Sequence, residues 1–140
     1  MGIKNLEIVE IFDQYNIDKN KIFYLNLTRN RRDENGNILT AQMVVMNDCY
    51  RLLKGSYIEK EVRESFKHHV YYPLRKKYET DEYMQNSQYE GCFILKKDID
   101  FSSPSAAAAV VKNRATNGPK EWKLKDGTVL DEYLSNMNND

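Results

Sequence analysis

Apolar positions recur at helical spacing in two parts of this chain. In residues 5–15 they mark one face of an amphipathic helix, and Asn5 can cap its start. A second set repeats every four residues and predicts a helix over about residues 59–71: Ile58, Val62, Phe66 and Val70. Pro73 is expected to end or kink that helix, because proline removes a backbone donor and crowds the preceding turn.

Short apolar or aromatic runs between polar turns predict five strands. Their approximate ranges are 22–27, 38–46, 49–53, 92–95 and 121–125. Asn35-Gly36 is typical of a hairpin, and Asp126-Gly127 of a second tight turn. Residues 80–91 are polar and predict a loop. The pattern predicts a single compact α+β domain, with a small mixed or antiparallel sheet of four to five strands and three to four helices.

The segment 101–134 carries the most distinct local pattern. Ser103-Pro104 predicts a helix start, residues 105–111 a short helix of small residues, and Asn113 its end. Residues 116–119 (TNGP) predict a turn, and residues 129–134 a closing helical turn or two.

The start of this small-residue helix allows two interpretations. The four alanines at 106–109 favour close packing against the protein's own sheet. Alternatively, Ser102, Ser103 and Ser105 surround a helix N-terminus, where backbone N–H groups and the helix dipole attract an anion such as phosphate.

Composition restricts the class of protein. The chain has 140 residues, 30% charged and 41% hydrophobic, as expected for one globular domain. No apolar run is long enough to cross a membrane and no signal peptide opens the chain, so we expect a cytoplasmic protein. Cys49 and Cys92 are expected to be buried, reduced thiols, although a pairing between them stays open.

Charge is unevenly spread along a chain of zero net charge. Residues 51–77 hold eight Lys/Arg against three Glu, and residues 101–125 hold five against one. The segments 78–100 and 126–140 are each at −4. Two basic segments can form one basic face of the kind that binds nucleic acid, or they can be solvated surface. Three further arginines precede Asn35-Gly36, where they can reach a phosphate or simply form a solvated loop: Arg29, Arg31 and Arg32.

Catalytic motifs are scarce. The sequence has no glycine-rich phosphate loop and no nucleophile elbow, and its two histidines, His68 and His69, are adjacent and poorly placed to share a metal. No metal or cofactor is therefore predicted.

One acidic pattern carries a weaker hypothesis. Asp98 or Asp100, followed by Glu121 and Lys123, matches the carboxylate and lysine set of Mg²⁺-dependent restriction-type nucleases. A strand that alternates charged and apolar residues also produces such a set by chance.

Several motifs together resemble a known but uncharacterised bacterial domain. They are FSSPSAAAAVV (101–111), Asn117-Gly118, EWK (121–123), IFYL (22–25), LLKGS (52–56), LRKKY (74–78) and the acidic lead-in to Phe101. That domain is often found C-terminal to GIY-YIG nuclease-like domains and is related to the RAMA group (restriction-enzyme and adenine-methylase associated). The resemblance covers about residues 20–135, leaving the predicted N-terminal helix, residues 1–18, outside it.

The resemblance implies a compact module that recognises DNA, including modified DNA, in restriction or related systems. Carried over residue by residue, it implies these nucleic-acid-binding positions: Lys54, Gly55, Ser56, Arg75, Ser102, Ser103, Ser105, Asn117, Gly118, Trp122 and Lys123. Two positions depart from the family pattern. Pro119 stands where an aromatic residue, usually Trp, follows Asn-Gly, and Asn113 stands where Gly is usual. The first change removes a side chain that can stack on a base.

The sequence thus predicts a non-catalytic DNA-binding module in restriction, defence or mobile-element biology. Only about twenty residues precede the matched region, so we expect a free-standing module. The alternative is a protein-interaction or inhibitor protein whose partner is a defence nuclease, and the Mg²⁺-dependent nuclease is third. The sequence leaves the oligomeric state open.

Overall fold

A five-stranded antiparallel sheet forms the centre of the computed structural model, which describes residues 21–138. Its strand order is β7-β3-β2-β1-β8, and a second, three-stranded sheet has the order β4-β6-β5. The strands are β1 (Ile22–Asn26), β2 (Thr40–Val45), β3 (Tyr50–Leu52), β4 (Tyr57–Glu59), β5 (Met84–Asn86), β6 (Cys92–Leu95), β7 (Ile99–Phe101) and β8 (Lys123–Leu124). Within residues 21–138 the helices are α1 (Tyr72–Tyr78), α2 (Pro104–Lys112), α3 (Gly118–Glu121) and α4 (Leu130–Asn138).

The predicted α+β fold is confirmed in its antiparallel form, as a single compact domain. The helix predicted over residues 5–15 lies outside the described residues.

Helix α2 forms the core together with one face of the large sheet. Alternate residues of β1 and β2, such as Phe23 and Met43, are fully buried, as the period of two in a strand requires. All six residues from 106 to 111 are buried as well. The alanines remove bulk between helix and sheet, so the predicted close packing on the protein's own sheet is confirmed.

Both ends of α2 follow from local sequence. The Ser103 hydroxyl oxygen accepts a hydrogen bond from the Ala106 N–H at 3.1 Å, and Pro104 occupies the first turn. Asn113 adopts the left-handed conformation (φ 56°), and its N–H donates to the Ala109 carbonyl at 2.8 Å. The predicted start and end of this helix are confirmed.

Replacing Ser103 with alanine should lower the free energy of unfolding by about 1 kcal/mol, because the Ala106 N–H loses its acceptor. Urea denaturation measures the change. Ser102→Ala is the matched control: this serine is exposed, so its replacement should change stability by less than about 0.5 kcal/mol. Equal losses in the two variants would contradict the capping role.

The helix predicted over residues 59–71 is wrong. The segment begins at the end of β4 and contains a 3₁₀ turn at Glu64–His68, and α1 starts only after it, at Tyr72. Ile58 belongs to the three-stranded sheet, opposite Phe93 of β6, while Val70 is 78% exposed. The spacing of four was therefore a coincidence. Pro73 lies in the first turn of α1, where proline costs no hydrogen bond.

The boundaries of other strands and helices also differ from the predicted ones, for physical reasons. Strands β4, β5 and β7 are three residues long, too short to show an alternating pattern, and β5 lies in the predicted polar loop. Gly118-Pro119 begins α3 instead of forming a simple turn. Trp122 follows α3, so the predicted strand 121–125 shrinks to β8.

Cys92 is buried as expected, whereas Cys49 is half-buried, and both are free thiols. Among the described helices, none has the length and apolar character that a bilayer crossing requires.

Candidate nucleic-acid interface

A cleft of about 930 Å³ lies where β1 and β8 meet the C-terminal ends of α2 and α3. Among the described residues that line it, six are Lys or Arg and one, Glu121, is acidic. The six cations come from separate stretches of chain: Arg29, Lys112, Arg114, Lys120, Lys123 and Lys125. Their convergence makes the cleft strongly basic.

Three of these cations are neutralised by carboxylates. Lys112 Nζ lies 2.7 Å from a Glu121 oxygen, and this pair ties the end of α2 to the end of α3. The other two pairs are more exposed: Lys120 with Asp131 at 2.7 Å, and Arg29 with Glu61 at 3.2 Å.

The remaining three cations have no carboxylate partner within residues 21–138. Within the described part of the chain, no carboxylate oxygen lies within 4.0 Å of the charged nitrogens of Arg114, Lys123 or Lys125. Lys123 and Lys125 are exposed and Arg114 is half-buried. Such charges are available to an anionic ligand without first breaking an ion pair.

The turn Thr28–Asn30 forms one rim of the cleft in an uncommon backbone conformation. Arg29 and Asn30 have φ values of 68° and 46°, in the left-handed region that non-glycine residues rarely occupy. Two consecutive residues of this kind store strain, which tends to be kept where it positions functional groups. Here the turn brings Arg29 and Thr28 to the cleft.

An aromatic side chain accompanies the charges. Tyr24 of β1 pairs with Lys123 of β8, lines the cleft and is half-buried. Partial burial raises the pKa of the Tyr24 hydroxyl. A tyrosine next to unpaired cations is the combination that binds bases and phosphates of a single strand.

A smaller cavity of about 210 Å³ adjoins the cleft and shares four of its wall residues: Thr28, Arg29, Lys112 and Arg114. Glu59, which is 2% exposed, also lines it. Arg31 donates to Glu59 Oε1 from Nε at 3.1 Å and from Nη2 at 2.9 Å, and this hydrogen bonding raises the pKa of Arg31. Gly91 makes room for the guanidinium, since a Cβ there would lie 2.9 Å from it.

The family of the chain follows from a match between residues 33–134 and a family model described as a domain of unknown function, DUF4357. The chain belongs to this family. No curated protein and no solved structure matches the chain. The match takes in the cleft cations from Lys112 to Lys125 but not β1 or the turn Thr28–Asn30.

The LLKGS motif of this DUF4357 domain is held in a turn away from the cleft. Lys54 is exposed, and its N–H donates to Asp98 Oδ1 at 2.7 Å. Gly55 has φ +92°, and its N–H donates to the Leu95 carbonyl at 2.9 Å. Ser56 is fully buried, and its hydroxyl oxygen accepts from the Gln42 N–H at 2.9 Å. Gly55 and Ser56 thus join the two sheets.

Arg75 is fully buried in the domain. Its Nη1 donates to the Val110 carbonyl at 2.8 Å and its Nε to Glu79 at 3.0 Å, which ties α1 to α2. Burial lowers the pKa of this guanidinium. A side chain with no exposed surface has a structural role and does not reach a ligand.

The start of α2 is satisfied by the domain itself. The Ser105 hydroxyl accepts from the Gly118 N–H at 3.0 Å, and the Pro104 carbonyl accepts from Trp122 Nε1 at 3.0 Å. Ser103 caps the helix, which leaves only Ser102 exposed. Helix α3 thus packs over the site where a phosphate was expected.

The residues in and around the EWK motif lie partly in the core and partly in the cleft. Gly118 and Trp122 are buried, and Asn117 is exposed but does not line the cleft. Of the candidate binding residues from the sequence, only Lys123 lines the cleft. The other cleft cations were indicated only by the basic segment 101–125 and by the hairpin arginines. In the first basic segment, Arg51 pairs with Asp100, and only Arg63 reaches the smaller cavity.

The structure does not bring the nuclease-like set together. Asp100 lies on β7 and Lys123 on β8, at opposite edges of the five-stranded sheet and so about 19 Å apart at the usual strand spacing. Asp100 accepts from Arg51 Nε at 2.7 Å, and this hydrogen bond lowers the pKa of Asp100. Among the described residues, no group of three or more His, Cys, Asp or Glu side chains could hold a metal ion.

Proposed function

We propose that this DUF4357 domain is a non-catalytic nucleic-acid-binding module whose basic cleft holds the phosphate backbone of DNA. The observation that carries the proposal is the convergence of six Lys/Arg in a cleft of about 930 Å³, three of them without a carboxylate partner among the described residues. A surface with no ligand to bind has little reason to collect like charges, because they repel one another.

Cations that lack a carboxylate partner in the described part of the chain provide most of the binding free energy in this proposal. Arg114, Lys123 and Lys125 contact phosphates and release condensed counterions from the DNA. Arg29 exchanges its exposed partner Glu61 for a phosphate at little cost, since exposed ion pairs are weak. Tyr24 supplies an aromatic surface for a base or sugar.

The resemblance to domains that accompany GIY-YIG nucleases, and to the RAMA group, supports a finer proposal. The finer proposal is that the module directs a restriction, defence or anti-defence protein to DNA, including modified DNA. Comparing methylated with unmethylated duplexes tests this part separately: equal affinities would remove modification from the proposal and leave DNA binding intact.

Fluorescence anisotropy with labelled duplex and single-stranded DNA, across a salt series, tests the proposed function. We expect log affinity to fall linearly with log salt, with a slope of about −0.9 per phosphate contact on a duplex and about −0.7 on a single strand. Three to five contacts would match the cations of the cleft. Absence of binding at low salt, or affinity independent of salt, would overturn the proposal.

A further inference from the structure

Two residues that line the smaller cavity, Glu59 and Thr28, each carry a buried oxygen atom without a hydrogen-bond partner within residues 21–138. Among the described residues, nothing donates to Glu59 Oε2 or bonds to Thr28 Oγ1, although both atoms are shielded from solvent. Both residues line the cavity of about 210 Å³. Because buried polar atoms are almost always paired in native proteins, these two indicate a ligand that brings N–H donors.

The Glu59 carboxylate is held in position for such a ligand. Its Oε1 accepts both hydrogen bonds from Arg31, and its Oε2 has no partner among the described residues. The ion pair with Arg31, at 2.9 Å, holds in place a side chain that is only 3% exposed. A charged acceptor forms the stronger kind of hydrogen bond with an N–H group.

The walls of the cavity narrow the chemistry of the ligand. Four cations line the cavity together with the buried carboxylate: Arg29, Arg63, Lys112 and Arg114. Arg29 and Lys112 already pair with Glu61 and Glu121, so the cavity offers Arg63 and Arg114 together with the Glu59 oxygen. A ligand that carries both N–H donors and an anionic group matches this mixture of charges. A nucleotide satisfies both, because its base presents N–H donors and its phosphate is anionic.

The volume of the smaller cavity and its position next to the cleft also favour a nucleotide as the ligand. The cavity is smaller than the ~300–1,000 Å³ pockets that hold drug-sized ligands, and it suits a single planar ring system. It also opens from the cleft, with which it shares Thr28, Arg29, Lys112 and Arg114. A strand whose phosphates lie in the cleft can therefore place one base in the cavity.

We infer that this cavity receives one unpaired base of the bound strand and selects guanine, with Glu59 Oε2 and Thr28 Oγ1 as acceptors. Guanine is favoured because its N1–H and N2–H₂ groups are adjacent donors on one edge. The base must be single-stranded or turned out of a duplex, since pairing occupies that edge. This inference rests on the proposed function.

The test uses the full chain and short single-stranded thymidine oligonucleotides that carry one central guanine, adenine or cytosine. Anisotropy should show the guanine oligonucleotide binding about tenfold more tightly than the all-thymidine one, as a buried hydrogen bond to a charged group predicts. Glu59→Gln should abolish this preference, because the amide retains an oxygen for Arg31 but offers a donor where Oε2 was.

Glu61→Gln is the matched control, since Glu61 lines the same cavity but its side chain is 59% exposed. It removes the same charge and should keep the guanine preference. A preference that persists in Glu59→Gln, or equal affinities of the wild-type protein for all four oligonucleotides, would overturn the inference and leave DNA binding standing. Failure to bind any of them, or the duplex, would overturn the proposed function as well.

Discussion

Gly118→Ala should lower the free energy of unfolding by about 3 kcal/mol, the upper end of what overpacking costs. A Cβ at Gly118 would lie 2.3 Å from the Pro104 carbonyl carbon and 2.4 Å from the Ser105 nitrogen. These are backbone atoms at the start of α2, so neither can rotate away. Two hydrogen bonds that join α3 to α2 would be displaced with them, from Gly118 N–H to Ser105 and from Trp122 to Pro104.

Gly36→Ala provides the control for this effect. Gly36 has φ +83° and open space where a Cβ would lie, so its replacement costs only about 1–2 kcal/mol for the left-handed backbone. Urea denaturation of both variants compares a clash with a conformational penalty. A Gly118 variant that is no less stable than the Gly36 variant would show that α2 and α3 do not approach this closely.

Replacing Arg114, Lys123 and Lys125 together with glutamine should weaken duplex DNA binding by about 10²–10³-fold at 0.1 M salt. Each lost phosphate contact removes about 0.9 from the log–log salt slope, which at this concentration is about eightfold in affinity. None of the three takes part in an ion pair among the described residues, so stability should change little. Anisotropy over the salt series gives both the affinity and the slope.

A second triple variant distinguishes the effect of losing cations in the cleft from the effect of lowering the net charge of the protein. Lys77, Lys96 and Lys97 are exposed and lie outside both cavities, so their replacement with glutamine removes the same charge elsewhere. We expect its affinity to fall less than tenfold and its salt slope to change by less than about one contact. Equal losses in the two triple variants would place DNA binding on the general charge of the protein and not in the cleft.

Local chemistry explains which parts of the fold the sequence predicts well. The start of α2 depends on Ser103 and Pro104 and its end on Asn113, all within one turn of the backbone they satisfy. Strand β1 was predicted because IFYL is aromatic and apolar. The helix over residues 59–71 failed because Ile58 is buried by pairing with β6, a partner more than thirty residues away that no local pattern reveals.

The cleft also depends on contacts between residues distant in sequence, which local patterns do not predict. Arg29 and Lys123 are distant in sequence and meet only because β1 pairs with β8. Arg75 and Trp122 matched the family motif but are fully buried, since a motif records residue type and not exposure. Glu59 was not singled out, because its importance depends on Arg31 and Thr28, which the fold brings to it.

The most direct test of DNA binding in the cleft is a ¹H–¹⁵N NMR titration of the labelled full chain with a short DNA. We predict that amide shifts concentrate in residues 24–30, 112, 114, 120, 121, 123–125 and 127, which line the cleft. Residues at the opposite edge of the sheet, including Lys54, Asp98 and Asp100, should stay unchanged. Shifts concentrated at Lys54 and β7, with the cleft undisturbed, would contradict the proposed interface.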